Sequence, residues 1–330
     1  MEQREFDAFV VAERDGAFTG TVIKKRIVDL PRHGLLVRVR YSSLNFKDAL
    51  SASGNRGVSR RYPHTPGIDA VGTVVASDSE KFRENDTVII TGYDLGMNTS
   101  GGFAEYIRVP SEWAVALPEG LTMRESMILG TAGLTSALSV LRLTESVRPE
   151  EGKIVVSGAT GGVGSLAVAL LAGLGYRVAA MTGKEQESDY LLGLGASEIL
   201  MRRDYEAEIG SALLDARFAG AVDTVGGHIL CNIIKSMQPM GVVTCCGNAA
   251  SPKLDITVYP FILRGVSLIG IDSQNCPLAL REKVWKKLSG RWKPEGLEKL
   301  CTEIPLGDLP ARIELMLQGK LKGRTIVSMN

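Results

Sequence analysis

The sequence carries almost no net charge. Its 330 residues include 38 lysines and arginines against 37 aspartates and glutamates, a formal net charge of +1. It contains no basic run or arm of the kind that follows the phosphates of a nucleic acid. We therefore expect no nucleic-acid partner.

Cysteine and histidine are also scarce. The five cysteines are odd in number and scattered: Cys231, Cys245, Cys246, Cys276 and Cys301. They form no Cys-x-x-Cys motif, and His33, His64 and His228 lack the spacing of metal ligands. The pattern indicates neither a disulfide framework nor a Cys/His metal site, so we expect reduced cysteines that mostly pack.

Long apolar runs are absent, since no segment of the sequence reaches the length needed to span a bilayer. The stretch MEQREFDAFVVAERDG is charged from its second residue and lacks the apolar centre of a signal peptide. We expect a cytosolic protein. The hydrophobic share of 45% supports a sizeable core, and the chain length predicts two domains.

The pattern of apolar and polar residues changes near residue 121. Before it, short runs such as LLVRVRY alternate apolar and polar residues, as strands with one solvent-facing side do. After it, helical stretches alternate with apolar strands such as KIVVSG and YRVAAMTG, which predicts a parallel, doubly wound α/β sheet. We predict a Rossmann-type domain at 123–271, inserted into a mostly β domain made of 1–122 and 272–330.

A glycine cluster follows the first strand of the predicted parallel sheet. In the frame ATGGVG, Ala159, Gly161 and Gly164 take the fingerprint positions of a dinucleotide-binding loop, and two of them match. An apolar strand before the loop and a helix after it favour this interpretation over a turn of purely structural use. The predicted pyrophosphate contacts are Ala159, Thr160, Gly161, Gly162, Val163 and Gly164.

The end of the second strand indicates which nicotinamide cofactor is used. An acid there would bind the ribose of NAD, but the sequence reads Thr182-Gly183-Lys184, with no acid before Glu185. A hydroxyl, a small residue and an ammonium suit a 2′-phosphate, so we predict NADP (NADPH). Arg203, with its neighbour Arg202, either adds charge to this site or is an ordinary solvated arginine.

The chain resembles the medium-chain dehydrogenase/reductase superfamily along its whole length. The likeness is carried by SSLNFKDAL, PGIDAVGTV, GTAGLTSALSV, VSGATGGVGS, VYPFILRGVSLIGIDS and GRTIV. Within the superfamily it is most similar to the zinc-free quinone oxidoreductase branch and to the bacterial acrylyl-CoA reductases. The resemblance implies a GroES-like β-barrel catalytic domain with a Rossmann insertion, and a homodimer.

The positions of the zinc ligands in related alcohol dehydrogenases carry other residues here. The matching stretches read Asn45-Phe46-Lys47-Asp48, Gly67-Ile68-Asp69 and Gly130-Thr131, and no cysteine occurs where the structural zinc lobe would fall. We predict no metal. Without a Lewis acid, alkoxide oxidation is harder than hydride addition to the β-carbon of an enoyl thioester or enone, which yields an enolate stabilised by polar donors.

The resemblance places Asn45 and Asp48 where substrate and nicotinamide meet. Asn45 would donate to the enolate oxygen or position the ribose, and Asp48 would orient Asn45 or Lys47. Alternatively both residues only hydrogen-bond their turn. Tyr41 either lines the cofactor cleft or faces the core, and Thr131 either contacts nicotinamide or caps a helix.

Other cofactor contacts are expected at the carboxyl ends of later strands, where such folds bind ligands. They are Cys246, Gly247, Ile271, Ser273 and Asn275. Cys246 is more typical of a packed thiol than of a reactive one. Arg324 would reach a cofactor phosphate or a substrate carboxylate, unless it is an ordinary surface arginine.

A basic loop, SGNRGVSRRYP, offers Arg56, Arg60 and Arg61 for the phosphates of CoA, or as plain solvated charges. The leading hypothesis is NADPH-dependent reduction of a short enoyl-CoA such as acrylyl-CoA. A quinone or enone reductase is the second, and a non-catalytic NADPH-binding protein the third. The polar turn at Asn45 disfavours the third, because mere binding does not need it.

Overall fold

A computed structural model describes residues 3–329 and divides into two compact units. The first unit ends at Thr131 and takes up Gln274–Ser289 and the chain from Gly296 onward. The second comprises Ala132–Ser273 and Gly290–Glu295. The divisions after 131 and 273 differ from the predicted divisions after 122 and 271.

Seven strands and one helix make up the N-terminal part of the first unit. The strands are β1 (Glu5–Arg14), β2 (Ala17–Arg26), β3 (Leu35–Leu44), β4 (Asp69–Ala76), β5 (Thr87–Thr91), β6 (Tyr106–Val109) and β7 (Ala114–Ala116), and the helix is α1 (Phe46–Ala52). Short 3-10 turns lie at Ile27–Asp29 and Ser111–Trp113. In β3, Val37 and Val39 are buried while Arg38 and Arg40 are exposed, so one face of this predicted strand is exposed to solvent.

The long helix α2 (Met123–Thr144) changes direction at Gly130, whose φ of 51° and ψ of −153° are not helical. A Cβ at Gly130 would lie 2.5 Å from Asp69 Oδ2, so a larger residue would displace that carboxylate. The break explains why the first unit ends at 131: the helix changes units immediately after its kink. By length and apolarity α2 could cross a membrane, but 78% of its most apolar window is buried, as expected of a core helix.

The second unit contains a six-stranded parallel sheet. Its strands are β8 (Lys153–Val156), β9 (Arg177–Thr182), β10 (Glu198–Met201), β11 (Phe218–Asp223), β12 (Met237–Cys245) and β13 (Ser267–Gly270). Its helices after α2 are α3 (Gly162–Gly173), α4 (Ser188–Gly193), α5 (Arg203–Glu206), α6 (Gly227–Lys235) and α7 (Tyr259–Arg264), with 3-10 turns at Pro149–Glu151 and Glu185–Glu187. The order β10-β9-β8-β11-β12-β13 is that of a Rossmann sheet.

The last segment completes the first unit. It contains α8 (Leu278–Leu288), β14 (Cys301–Pro305), α9 (Leu309–Leu317) and β15 (Arg324–Ser328), with 3-10 turns at Leu297–Leu300 and Leu306–Asp308. β15 pairs antiparallel with β3, giving a seven-stranded sheet with β6 as an additional partner of β3. A GroES-like unit with an inserted Rossmann-type unit confirms the predicted fold class.

Candidate functional site

The glycine loop of the second unit turns at Gly158, one residue before the predicted frame. Gly158 has a φ of 59°, and a Cβ there would lie 2.3 Å from Thr224 Oγ1. Ala159 is buried and donates its amide to the Met181 carbonyl at 3.0 Å, so it needs no glycine. The turning glycine of the fingerprint is therefore Gly158, which the six-residue frame missed.

The other two fingerprint glycines, Gly161 and Gly164, differ in the space that is available for a Cβ atom. A Cβ at Gly164 would lie 2.3 Å from the Gly158 carbonyl oxygen, whereas one at Gly161 would lie 3.2 Å from the same atom. Gly161 precedes α3, whose first amides have no acceptor within the helix. Gly162 and Val163 begin that helix, and Thr160 is buried beside it. This geometry suits a pyrophosphate at the start of α3.

Buried hydrogen bonds connect the start of the glycine loop to the end of β11, the neighbouring strand in the sheet. Ser157 Oγ donates to Asp223 Oδ1 at 2.7 Å and accepts the Thr224 amide at 2.9 Å. The other oxygen of Asp223 accepts the Gly226 amide at 2.9 Å. Burial raises the pKa of Asp223 against these hydrogen bonds. Asp223 therefore positions the loops around the nucleotide site.

Arg202 and Arg203 make different contacts beside the turn after β9. A Cβ at Gly183 would lie 3.0 Å from the Arg202 guanidinium carbon, and Thr182 Oγ1 accepts the Lys184 amide at 2.9 Å. Arg203 instead forms an exposed ion pair with Glu185 at 3.7 Å. Arg202 packs against Gly183 while it pairs with Glu206 at 2.6 Å, and the contribution of Arg203 to this turn stays a prediction.

Cys245 and Cys246, at the end of β12, are protonated thiols at neutral pH. Burial, helped by the charge of Asp223, raises the pKa of Cys245 to about 11 and that of Cys246 to about 12. Cys246 Sγ donates to the Asp223 carbonyl at 3.3 Å. This thiol is consistent with the packing role rather than with a reactive one.

The remaining residues predicted near the cofactor fall on both units. Gly247 is required for close packing, because a Cβ there would lie 2.2 Å from the Thr224 carbonyl oxygen. Ile271 donates its amide to the Cys245 carbonyl at 3.0 Å, and Ser273 Oγ accepts from Thr135 Oγ1 at 2.7 Å. Asn275, two residues farther along, is exposed and belongs to the first unit.

In the first unit, the fully buried Asp69 is the centre of a polar cluster, which we define as Ser43, Asn45, Asp69, Thr131 and Arg324. Asp69 Oδ2 accepts from Ser43 Oγ at 2.6 Å, Asn45 Nδ2 at 2.7 Å and the Thr131 amide at 2.9 Å. Asp69 Oδ1 accepts from Thr131 Oγ1 at 2.6 Å. The carboxylate oxygens are thus engaged by donors from several elements.

Asn45 is held on both sides of its amide. Nδ2 donates to Asp69 and to the Ser43 carbonyl at 3.2 Å, while Oδ1 accepts from Arg324 Nη1 at 3.2 Å. A carboxylate on one side and a guanidinium on the other fix which end of the amide is nitrogen. Because both Nδ2 hydrogens are used, the expected donation from Asn45 to an enolate oxygen is corrected. Asn45 is a positioning residue in this arrangement.

Asp48 is fully buried and bonds the backbone. Oδ2 accepts the Asn45 amide at 2.8 Å, and Oδ1 accepts the amides of Gly67 and Ile68 at 3.1 and 2.9 Å. Burial raises the pKa of Asp48 to about 7, opposed by these amides and reinforced by the charge of Asp69. Its catalytic assignment is corrected to the alternative, a residue that shapes the turn. Lys47 Nζ donates to Gln274 Oε1 at 2.5 Å.

Arg324 is buried, with 3% of its surface exposed, so it is not a surface arginine. Its Nε donates to the Ile128 carbonyl at 2.9 Å and its Nη2 to Ser43 Oγ at 2.9 Å, and Nη2 lies 3.9 Å from Asp69 Oδ2. Burial lowers the pKa of Arg324, and Asp69 opposes this effect. The expected contact with a phosphate or carboxylate ligand is corrected, because protein acceptors surround the guanidinium.

Tyr41 and Thr131 have different surroundings. Tyr41 is half-buried, with the Arg40 guanidinium carbon 5.3 Å from its ring centre. Thr131 is tied to Asp69 through both its amide and its hydroxyl.

Among the three loop arginines, only Arg56 is fully engaged. It bonds Glu13 Oε2 at 2.5 Å and the Arg60 carbonyl at 2.9 Å, and its guanidinium carbon lies 5.1 Å from the Tyr62 ring centre. The prediction that Arg56 binds CoA phosphates is corrected on this ground. Arg60 and Arg61 are exposed, and neither side chain is paired within residues 3–329.

The comparisons place these two sites in a known family. A model described as "Alcohol dehydrogenase GroES-like domain" matches residues 31–119, and one described as "Zinc-binding dehydrogenase" matches residues 162–290. Within residues 3–329, no group of three or more His, Cys, Asp or Glu residues could hold a metal ion.

Three relatives are similar along nearly the whole chain. YhfP of Bacillus subtilis, whose name assigns it to the quinone oxidoreductases, is 45% identical over 91% of this chain and 92% of its own; its structure with NAD bound has a TM-score of 0.96. Acrylyl-CoA reductase AcuI of Ruegeria pomeroyi is 40% identical over 98% of this chain and 99% of its own. The yhdH oxidoreductase of Salmonella enterica, in complex with NADP, is 42% identical over 98% of this chain and 100% of its own, with a TM-score of 0.96. The glycine loop, the Asp69 cluster and these similarities lead to one conclusion: the chain is an oxidoreductase that belongs to the quinone oxidoreductase branch of the medium-chain dehydrogenase/reductase superfamily.

Proposed function

We propose that the protein is an NADPH-dependent reductase of the activated C=C bond of a short enoyl-CoA such as acrylyl-CoA, working without a metal. The observation that carries the proposal is the polar cluster around Asp69. Asp69 and Thr131 occupy stretches that deliver zinc ligands in related alcohol dehydrogenases, and here they bond each other and their neighbours. The similarity to AcuI supports the enoyl-CoA substrate.

The second unit has the residues to hold NADPH. The pyrophosphate would bind at Gly161–Gly164, where the helix α3 begins. The 2′-phosphate would bind beside Thr182, Lys184 and Arg202, a hydroxyl and two cations, with Arg202 exchanging its pair with Glu206 for the phosphate. Bound NADPH supplies the hydride for the reduction.

The first unit contributes a rigid polar surface. In the reaction the β-carbon of the enoyl thioester gains a hydride and the α-carbon gains a proton, and negative charge develops on the thioester oxygen between these events. Asp48 holds the amides of Asn45, Gly67 and Ile68, so the turn at residue 45 is fixed before substrate arrives. Such preorganisation favours a charged transition state, because the protein does not have to rearrange when charge develops.

The test is NADPH oxidation followed by stopped-flow absorbance, with acrylyl-CoA and a simple quinone as alternative acceptors. We expect kcat/KM for acrylyl-CoA to exceed that for the quinone by at least about tenfold, which corresponds to about 1.4 kcal/mol in transition-state binding. Turnover no faster than with the quinone would favour the second candidate, a quinone or enone reductase, which the similarity to YhfP supports.

We also propose that the protein is a homodimer joined through the second unit. β13 is the last strand of its sheet, and an apolar surface is formed by residues of α7 and its flank, which precede β13 in the chain, and of β12. This surface includes Val258, Ile262 and Leu263, which are 62–67% exposed, and Met240, which is 73% exposed. The Met240 side chain lies against the end of α7. A Cβ at Gly265, just after α7, would lie 2.8 Å from the Met240 sulfur. Large exposed apolar patches and open strand edges mark association surfaces.

Analytical ultracentrifugation of Ile262→Lys tests the dimer. We expect the wild type to sediment as a dimer and the variant as a monomer. Leu192→Lys is the control, since Leu192 is 48% exposed but lies on α4, elsewhere in the same unit. A dimeric Ile262→Lys variant would place the subunit contact elsewhere.

A further inference from the structure

A cavity of about 500 Å³ lies in the first unit beside the ribbon formed by β1 and β2. It combines two kinds of lining. Val10, Ile23 and Pro63 are apolar, whereas Lys25, Arg60 and Arg61 are cationic. Ile23 and Lys25 lie two residues apart on β2 and so project from the same face of the ribbon.

The three cations of this cavity lack counterions. No carboxylate is paired with Lys25, Arg60 or Arg61 anywhere in residues 3–329. The polar contact of the Lys25 ammonium is with Ser100 Oγ, at 3.4 Å. Burial lowers the pKa of Lys25, and Asp29 opposes this only through its charge. Clustered cations without partners favour an anionic ligand.

Two buried residues, Thr65 and His64, also line the cavity. Thr65 is 2% exposed, and its Oγ1 has no partner among the described residues. A buried hydroxyl without a partner is uncommon, because burial removes it from water without compensation. His64 adds no charge here: its Nε2 is 2.9 Å from the Gly96 carbonyl, and burial lowers its pKa.

We propose that this cavity binds the phosphate-bearing end of the CoA thioester through Lys25, Arg60 and Arg61. The apolar lining residues Val10, Ile23 and Pro63 would contact the nucleoside. The proposal rests on the proposed function for the identity of the substrate. Phosphate groups suit the cations. The loop arginine Arg56 has no part, because Glu13 already pairs with it.

The position of the cavity fits a substrate that extends to the polar cluster. Thr65 lines the cavity, and Asp69 lies four residues along the same chain segment. An extended segment of four residues spans at most about 14 Å. The pantetheine arm of a CoA thioester can cover such a distance, so its phosphates and its acyl group can be held by the same segment of the chain.

The test compares two thioesters that share the acrylyl group: acrylyl-CoA and acrylyl-N-acetylcysteamine, which has no phosphate. In the triple variant Lys25→Gln, Arg60→Gln, Arg61→Gln, we expect KM for acrylyl-CoA to rise at least about tenfold, with kcat little changed. KM for the truncated thioester should stay within about twofold. Lys24→Gln is the matched control, because Lys24 neighbours Lys25 on β2 and pairs with Asp7 at 2.9 Å.

A binding measurement separates this proposal from the proposed function. Calorimetry with free CoA needs no turnover, and we expect the triple variant to lose at least about tenfold in affinity while Lys24→Gln keeps it. Equal CoA affinity for wild type and triple variant would overturn the cavity assignment even if acrylyl-CoA is reduced. Conversely, loss of CoA affinity in an enzyme that does not reduce acrylyl-CoA would refute the proposed function and keep the cavity. Inorganic phosphate is the second probe: if it binds as tightly as CoA, the cavity is a phosphate site unrelated to the substrate, which also overturns the proposal.

Discussion

Replacing Asp69 by Asn should destabilise the first unit strongly. The carboxylate accepts hydrogen bonds from Ser43, Asn45 and Thr131 and is the acid nearest to the buried Arg324 guanidinium. Asn would present an NH₂ group to these donors and leave the guanidinium without its counter-charge. Removing one partner of a buried ion pair costs about 3–5 kcal/mol. That is a large part of a typical unfolding free energy of about 5–15 kcal/mol.

Urea unfolding followed by tryptophan fluorescence measures this loss. Trp113 and Trp285 lie in the first unit and Trp292 in the second, so two of the three tryptophans report on the unit that contains Asp69. With an m value of about 3 kcal/mol per M, the midpoint should fall by about 1–1.7 M. Asp7→Asn is the control: its pair with Lys24 is exposed and contributes at most about 1 kcal/mol.

The double variant Asp69→Asn, Arg324→Met distinguishes the ion pair from the hydrogen bonds. Removing the guanidinium as well should restore part of the lost stability, because no unpaired buried guanidinium then remains. The reasoning is refuted if Asp69→Asn costs under about 1 kcal/mol, or if the two substitutions are simply additive.

Three further outcomes are expected. Gly164→Ala should lower NADPH affinity in a fluorescence titration far more than Gly161→Ala, because the new Cβ would lie 2.3 Å rather than 3.2 Å from the loop carbonyl; equal losses would contradict this. Arg202→Ala should weaken NADPH binding about tenfold and leave NADH binding unchanged, whereas Arg203→Ala should change neither. Because burial raises the pKa of Asp48 from 3.8 to about 7, the folded chain keeps a proton there that the unfolded chain has released. The unfolding free energy should therefore fall as pH rises from about 3.8 to about 7, and urea titrations should show a weaker fall for Asp48→Asn.

The fold could be predicted from the sequence because its signals are local. Alternation in β3 and the repeated change between apolar strands and helices in the second unit are visible within a few residues. The cofactor loop was predicted for the same reason. Its turning glycine was missed because the requirement at Gly158 comes from Thr224, far along the chain.

The candidate site was harder to predict because its geometry depends on distant contacts. Arg324 meets Asn45 across 279 positions, so no local pattern shows that it is buried. The sequence predicts one polar turn for Asn45 and Asp48, whereas in the structure Asn45 is the N-cap of α1 and Asp48 its third residue. Their roles depend on distant partners, Asp69 and Gly67. For Asp48, the alternative prediction was that it only hydrogen-bonds the nearby backbone, and this is the role that the structure shows.

The most direct measurement of the central claim is the position of the transferred hydride. The enzyme is supplied with acrylyl-CoA and NADPH that carries deuterium at the transferring position of C4, and the thioester product is examined by NMR and mass spectrometry. We predict propionyl-CoA with one deuterium at the β-carbon and none at the α-carbon, because the α-carbon takes its proton from water or the protein. Recovery of unreduced acrylyl-CoA, or deuterium at the α-carbon, would contradict the account.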